Sequence, residues 1–373
     1  MAGVSSLGIA KPTETDTASI KTTTHTLKIK NMNTAIELTP TQLKTLLRDC
    51  DAARPHLNPF IIGQPGVGKS AVVAEFAAES NREFIDLRLA YYAPQDVIGF
   101  PHLVTEEDGS KALKFSRPAF WPKTENPVIA LEEFSCASKA VQNVALQLLN
   151  DRRVGEFKLP DGAFIVLLGN RPEDKCHLEK LSSAVMNRIA CVRARLDLDS
   201  WIKWAFKNGI DPFITAFMQF RPDLLSTFDG AKWDGVSGFA SPRTWEKASS
   251  ILKVCTDRVV RHALLEGVLG QGAAAEVLGF LSIYESLPDL NQVLRHPDTA
   301  AVPTDPSVIY ATCAGLAKLV TVALMDNYLS YLERMPKEFA VFSIRTAINY
   351  NTDLQRTAGF TRWVVANQAV LCP

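Results

Sequence analysis

A glycine-rich stretch between residues 60 and 70 combines residue types and spacing that could bind phosphate. Its pattern is G-x-x-x-x-G-K-[ST], in which the glycines let successive backbone N–H groups turn inward and reach phosphate oxygens. Lys69 can bring a point charge to the β- and γ-phosphates, and Ser70 can offer its hydroxyl to Mg²⁺. A helix expected at residues 70–79 would add its dipole. The predicted nucleotide-binding residues are Gly63, Gln64, Pro65, Gly66, Val67, Gly68, Lys69, Ser70 and Ala71.

Two adjacent carboxylates, Glu132 and Glu133, close an apolar stretch at residues 128–131. A buried parallel strand ends in this way where its carboxyl end faces a ligand crevice. One carboxylate could hold Mg²⁺ through water, and the other could polarise a water that attacks in line with the γ-phosphate. Taken alone, such a stretch is more often a solvated strand end. Its position downstream of the glycine-rich stretch favours the catalytic interpretation.

A third polar residue, Asn170, follows the apolar stretch at residues 163–168. At the tip of a buried strand beside Glu133, its amide could fix the attacking water. The alternative is that Asn170 only starts the following turn, because Asn favours turns.

An α/β fold is needed to bring these residues together. The predicted strands lie at residues 60–62, 84–89, 128–131 and 163–168. A first helix is predicted to follow the start signal at residues 38–40 and to end before Pro55, and two more helices are predicted at residues 70–79 and 139–150. Two hairpins are expected to interrupt this pattern, one around the acidic turn at residues 105–109 and one at residues 152–162.

The totals of the sequence limit the class of protein. The chain has 373 residues, which predicts two or three domains, with 40 basic and 40 acidic side chains. A net charge of zero argues against a polyanion as the main partner. The seven cysteines are scattered without a C-x-x-C pair, which indicates reduced thiols in a cytoplasmic protein. No apolar run of membrane-spanning length is present, so no membrane association is expected.

Five stretches in this order resemble the motifs of the AAA+ ATPases, and within them the MoxR branch. That branch has an inserted element after the second strand and a second hairpin before the polar residue of the fourth. The resemblance extends over roughly residues 35–255, and the order and spacing of the motifs make it specific. The matching stretches are residues 63–70 (Walker A), 128–133 (Walker B), 169–170 (sensor 1), 183–189 (the arginine-finger helix) and 240–243 (sensor 2).

The resemblance implies ATP and Mg²⁺ as ligands, with Ser70 and Glu132 at the metal. It also implies catalytic roles for Glu133, Asn170, an arginine finger and Arg243, which would point from a helical lid toward the nucleotide. Members of this branch usually form hexameric rings and act as chaperone-like remodelling motors, often with a von Willebrand factor A domain partner. Glu132 departs from the usual Asp, which is one methylene shorter.

The arginine finger has three candidates. Arg188 is favoured, because the family pattern places an Arg followed by an apolar residue there, but Arg193 and Arg195 compete with it. A guanidinium suits this role because charge develops on the γ-phosphoryl oxygens in the transition state. If Arg188 acts from a neighbouring subunit, hydrolysis requires a ring.

The expected organisation is a disordered N-terminal arm at residues 1–33, an AAA+ P-loop core at 34–198, an all-α lid at 199–255 and a helical C-terminal extension at 256–373. The aromatic residues from Trp201 onward, including Trp204, recur at helical spacing and are expected to form a helical core.

The resulting hypothesis is a ring-forming ATPase of MoxR type that remodels a protein partner. One alternative is a DNA-directed AAA+ motor of the branch-migration or loader type, for which Arg152, Arg153 and Lys158 on the second hairpin would be suitable. The acidic turn of the first hairpin opposes that alternative, so nucleic acid is not the expected partner. Another alternative is a monomeric kinase, which would not need Arg188 in trans or so long a helical region.

Overall fold

The computed structural model describes residues 36–53, 56–174 and 178–367. The arm predicted at residues 1–33 lies outside the described residues. Ten strands occur in the described part: β1 (Glu37–Leu38), β2 (Pro59–Ile62), β3 (Phe84–Arg88), β4 (Pro101–Thr105), β5 (Lys111–Phe115), β6 (Val128–Glu132), β7 (Arg153–Val154), β8 (Phe157–Lys158), β9 (Phe164–Gly169) and β10 (Ala190–Ala194).

Fifteen α-helices occur in the same described ranges. They are α1 (Pro40–Ala52), α2 (Lys69–Glu79), α3 (Pro94–Ile98), α4 (Lys139–Asp151), α5 (Ser183–Met186), α6 (Leu198–Lys207), α7 (Pro212–Phe220), α8 (Pro242–Val254), α9 (Arg258–Leu269), α10 (Gln271–Glu285), α11 (Leu290–Arg295), α12 (Pro306–Leu319), α13 (Met325–Glu333), α14 (Lys337–Tyr350) and α15 (Ala358–Ala366). None of the helices in these ranges is long and apolar enough to cross a membrane.

A six-stranded parallel sheet forms the α/β part, in the order β1-β10-β2-β9-β6-β3. The strands β6 and β9 are buried along their whole length, as expected for central strands that are covered on both faces. Alternate residues of β6 serve opposite faces. Ile129 and Leu131 join the apolar cluster that contains α4, whereas Val128 and Ala130 join the cluster that contains α1 and α2.

The α/β fold class and the predicted strands and hairpins are confirmed. The pairs β4–β5 and β7–β8 are the two expected antiparallel hairpins. The strands β1 and β10 were not predicted, although β10 pairs directly with β2. Two-residue β1 is too short for a period to be visible, and β10 mixes Ala, Cys, Val and Arg without an alternating or continuous apolar pattern.

The helical part from α6 to α15 is built on a single apolar cluster. Trp245, Phe217, Phe280, Tyr328 and Tyr331 are among its largest buried side chains. The cluster includes residues on both sides of the boundary proposed between the lid and the extension, at residues 255 and 256. The two parts therefore share a hydrophobic core.

Candidate active site

The glycine-rich stretch forms the turn between β2 and α2. Gly66 and Gly68 have φ angles of +75° and +94°, a region that glycine adopts without strain. The turn lies at the carboxyl edge of the parallel sheet, next to β9, and opens into a cavity of about 880 Å³. This is the strand, loop and helix arrangement that phosphate-binding loops require.

Lys69 joins the phosphate loop to the end of β9. Its ammonium donates hydrogen bonds to the carbonyl oxygens of Gly63 and Gln64, over 2.8 and 3.0 Å, and to Oδ1 of Asn170 over 3.2 Å. The structure therefore brings the predicted Lys69 and Asn170 together, although they are far apart in the sequence.

Glu132 and Ser70 form the part of the site that suits a metal ion. Glu132 is only 9% exposed, and its Oε1 has no hydrogen-bond partner within the described residues. Burial raises the pKa of Glu132, the nearby Asp86 raises it further, and the Ser70 hydrogen bond and the charges of Lys69 and Arg88 lower it. A buried, unpaired carboxylate oxygen beside a serine hydroxyl fits a hard cation such as Mg²⁺.

Glu133 turns the chain at the end of β6. Its φ angle of +52° is uncommon for a residue with a side chain, and it lines the same cavity as Lys69 and Ser70. A backbone in this region is often maintained at functional sites.

The helical part contributes Arg243 to the cavity. Arg243 lies in the first turn of α8, which begins with a capping box between Ser241 and Thr244. A Cβ placed on Gly66 would lie 2.7 Å from Oγ of Ser241, so the phosphate loop and the start of α8 are in close contact. The hydroxyl of Ser226 also donates to Oε1 of Gln64 over 3.1 Å.

Trp201 and Trp204 were predicted as core residues, but they also line the cavity. Both belong to α6: Trp201 lies within the apolar cluster of the helical part, and Trp204 packs against it. Thr41 and Lys44 of α1 line the cavity as well. The sequence shows only helical periodicity at these two positions. Their place in the lining of the cavity depends on how the helices pack in the fold, which local patterns do not show.

Arg188 lies apart from this cavity. Its guanidinium donates to Oδ1 of Asn150 over 3.1 Å and to the carbonyl oxygen of Ala184 over 2.7 Å. Arg193 forms an ion pair with Glu173 over 2.9 Å. Among the described residues that line the cavity, none is Arg188, Arg193 or Arg195. One chain therefore brings together the predicted Lys69, Ser70, Glu132, Glu133, Asn170 and Arg243, but not the candidate fingers.

The cations of the second hairpin have partners close by in the chain. Arg153 donates to the carbonyl oxygen of Gly155 over 2.8 and 2.5 Å, and Lys158 pairs with Asp161 over 3.0 Å. Arg152 donates to the carbonyl oxygen of Ala163. These contacts reduce the number of free donors that the hairpin offers to a phosphate backbone.

The parallel sheet, the phosphate loop after β2 and the flanking helices define a P-loop fold of the α/β class. The sequence model of the AAA domain (dynein-related subfamily) matches residues 58–189. This stretch contains Lys69, Ser70, Glu132, Glu133 and Asn170. No curated protein matches the chain.

This chain is similar to two solved structures at low sequence identity. NtrX from Brucella abortus, in complex with ATP, is 15% identical with a TM-score of 0.39, over 88% of this chain and 67% of NtrX. The RuvB Holliday junction branch migration motor from Thermotoga maritima is 14% identical with a TM-score of 0.36, over 74% of this chain and 80% of RuvB.

Proposed function

We propose that this protein is an ATPase of MoxR type that hydrolyses ATP in a ring, in the cytoplasm, and uses the energy to remodel or activate a protein partner. The observation that carries the proposal is the convergence of Lys69, Asn170, Glu132 and Glu133 on one cavity, to which the helical part adds Arg243. These are the residue types that phosphoryl transfer needs for positioning and for charge stabilisation.

ATP binding would begin at the phosphate loop. The triphosphate would accept hydrogen bonds from the backbone N–H groups around Gly66 and Gly68 and would draw the Lys69 ammonium from the carbonyls of Gly63 and Gln64. Ser70 and Glu132 would hold Mg²⁺, which supplies positive charge to the β- and γ-phosphates.

Hydrolysis would then depend on Glu133 and Asn170. Glu133 would take a proton from the attacking water while the oxygen of that water forms a bond to the γ-phosphorus. At the same time, the bond between the γ-phosphorus and the bridging oxygen would break, and ADP would leave with that oxygen. The Asn170 amide would orient that water. Arg243 would sense the γ-phosphate from the first turn of α8, so that the angle between the helical lid and the core follows the phosphate state.

Arg188 would act on the site of a neighbouring copy. Its position outside its own cavity supports this role, because a finger used in trans must lie away from the nucleotide of its own chain. The proposed assembly is a closed ring with heterologous contacts, as in a hexamer. A von Willebrand factor A domain protein is the proposed partner class.

A protein partner is preferred to DNA on the basis of the hairpins. The first hairpin carries Glu106, Glu107 and Asp108 at its turn, and its strands expose Leu103 and Leu113 directly opposite each other. Exposed aliphatic pairs suit contact with a polypeptide, whereas clustered carboxylates repel a phosphate backbone.

The proposal is tested most simply by Glu133→Gln. This variant should bind ATP with unchanged affinity and lose turnover by about 10²-fold or more, because the amide cannot accept the proton. Glu333→Gln, on the exposed end of α13, is the matched control and should behave as wild type. Normal turnover in Glu133→Gln would remove Glu133 from the mechanism.

A further inference from the structure

The turn that follows Asn170 is closed by a buried ion pair. Asp174 is 1% exposed, and its Oδ1 accepts from Nη2 of Arg171 over 2.6 Å and from Nε over 3.1 Å. Its Oδ2 accepts from the backbone N–H of Arg171 over 2.9 Å. Asp174 therefore holds both the side chain and the backbone of the residue next to Asn170.

Asn170 lies between two backbone supports. On one side, Asn170 continues β9, whose register with β2 and β6 is set by the sheet. On the other side, the backbone is held at Arg171 by a charge-assisted bond, which is stronger than a neutral one. Between these two supports, Oδ1 of Asn170 meets the Lys69 ammonium.

The same turn contacts the segment between α7 and α8. A Cβ on Gly230 would lie 2.2 Å from the carbonyl oxygen of Glu173 and 3.0 Å from Cα of Asp174, so the two backbones approach as closely as only glycine allows. The segment 226–241 also reaches the phosphate loop at both of its ends, through Ser226 and Ser241.

We propose that Asp174 is a positioning residue for Asn170, acting through Arg171, and that Gly230 connects this turn to the helical part. The inference rests on the proposed function, because Asn170 must orient the attacking water for its position to matter. A misplacement of that amide by a fraction of an ångström would slow the chemical step and leave ATP binding nearly intact.

The test is a double-mutant cycle on ATP turnover. Asp174→Asn keeps the shape of the side chain and removes its charge, and it should lower kcat by about tenfold to a hundredfold. KM and the affinity for a fluorescent ATP analogue should change by less than about twofold. In an Asn170→Ala background, the same substitution should lower kcat by less than about twofold, because the group it positions is gone.

Asp223→Asn is the matched control. Asp223 also forms a two-bond pair with an arginine, Arg221, over 3.0 and 2.9 Å, but at the exposed surface of the helical part. It should leave kcat unchanged in both backgrounds.

The outcomes separate the inference from the proposed function. An equal loss of kcat in both backgrounds, or normal kcat in Asp174→Asn, would overturn the inference alone. Normal turnover in Asn170→Ala would refute the role of Asn170 in the proposed function, and the inference with it. If Asp174→Asn does not fold, Gly230→Ala decides: a loss of kcat that disappears in Asn170→Ala supports the inference, and any other result overturns it.

Discussion

The Glu132 carboxylate is needed for the proposed metal site, but its burial destabilises the folded protein when no ligand is bound. Its carboxylate is desolvated without a partner for Oε1 within the described residues, and its pKa is raised because of burial. The folded protein therefore binds a proton more tightly at this site than the unfolded chain does. Ionisation of Glu132 then lowers the stability of the folded state as the pH rises through the raised pKa.

The substitution Glu132→Gln should relieve this cost. Without nucleotide at neutral pH, the free energy of unfolding of the variant should be larger than that of the wild type. That advantage should shrink as the pH falls from the raised pKa and should be smallest below the ordinary pKa of a glutamate, where the wild-type carboxyl is protonated in both states. Thermal unfolding between pH 4 and pH 8 would measure it.

Saturating ATP and Mg²⁺ should reverse the order of stability. A ligand present at about 100 times its Kd stabilises the wild type by about 2.7 kcal/mol, and the variant should lose most of this gain. Equal stabilisation of both proteins by ATP and Mg²⁺ would show that Glu132 is not at the metal.

The sequence predicts that Lys69, Glu132 and Asn170 lie close together, for one physical reason. Glu132 and Asn170 stand at the ends of two apolar strands, and Lys69 follows the glycine-rich turn that begins where a third one ends. Parallel strands bring their carboxyl ends to one edge of a sheet. The Arg171–Asp174 pair could not be predicted in the same way. No local pattern shows that Asp174 is buried, or that Gly230, far along the chain, approaches its backbone.

At the scale of elements, the phosphate loop and the start of α8 meet at Gly66. This position combines a φ angle of +75° with a Cβ position 2.7 Å from Oγ of Ser241. Gly66→Ala should therefore strain the loop and separate it from α8. The expected result is a loss of ATP affinity of about tenfold or more, measured by titration with a fluorescent ATP analogue.

A control variant at a second glycine distinguishes the effect of backbone strain from the effect of a steric clash with a neighbouring element. Gly109, in the turn of the first hairpin, has a φ angle of +81° and open space around its Cβ position. Gly109→Ala should carry a similar strain, but it should keep wild-type affinity for ATP. If Gly66→Ala binds ATP as the wild type does, the contact between the loop and α8 is not needed for binding.

The element-scale features that the sequence could not predict are those made by distant partners. The strand β10 is stabilised by its place between β1 and β2, since its own residues have no strand pattern. Trp201 and Trp204 line the cavity because the fold places α6 on the same cavity as the phosphate loop. Local periodicity predicted the strands and helices of the core, but not these contacts.

At the scale of the whole molecule, the proposed mechanism requires that two copies of the chain complete each site. The cavity of one chain contains Glu133 and Arg243, whereas Arg188 lies outside it. In a ring with heterologous contacts, each copy would offer its Arg188 to the next copy. Hydrolysis and assembly are then inseparable.

The most direct test of this claim mixes two inactive proteins. Arg188→Ala lacks the finger and Glu133→Gln lacks the base, so each alone should bind ATP without turning it over. In an equimolar random mixture, about a quarter of the interfaces would join an intact Glu133 to an intact Arg188, and turnover should recover to about a quarter of the wild-type rate. No recovery at any ratio, or full activity of Arg188→Ala alone, would contradict the shared site.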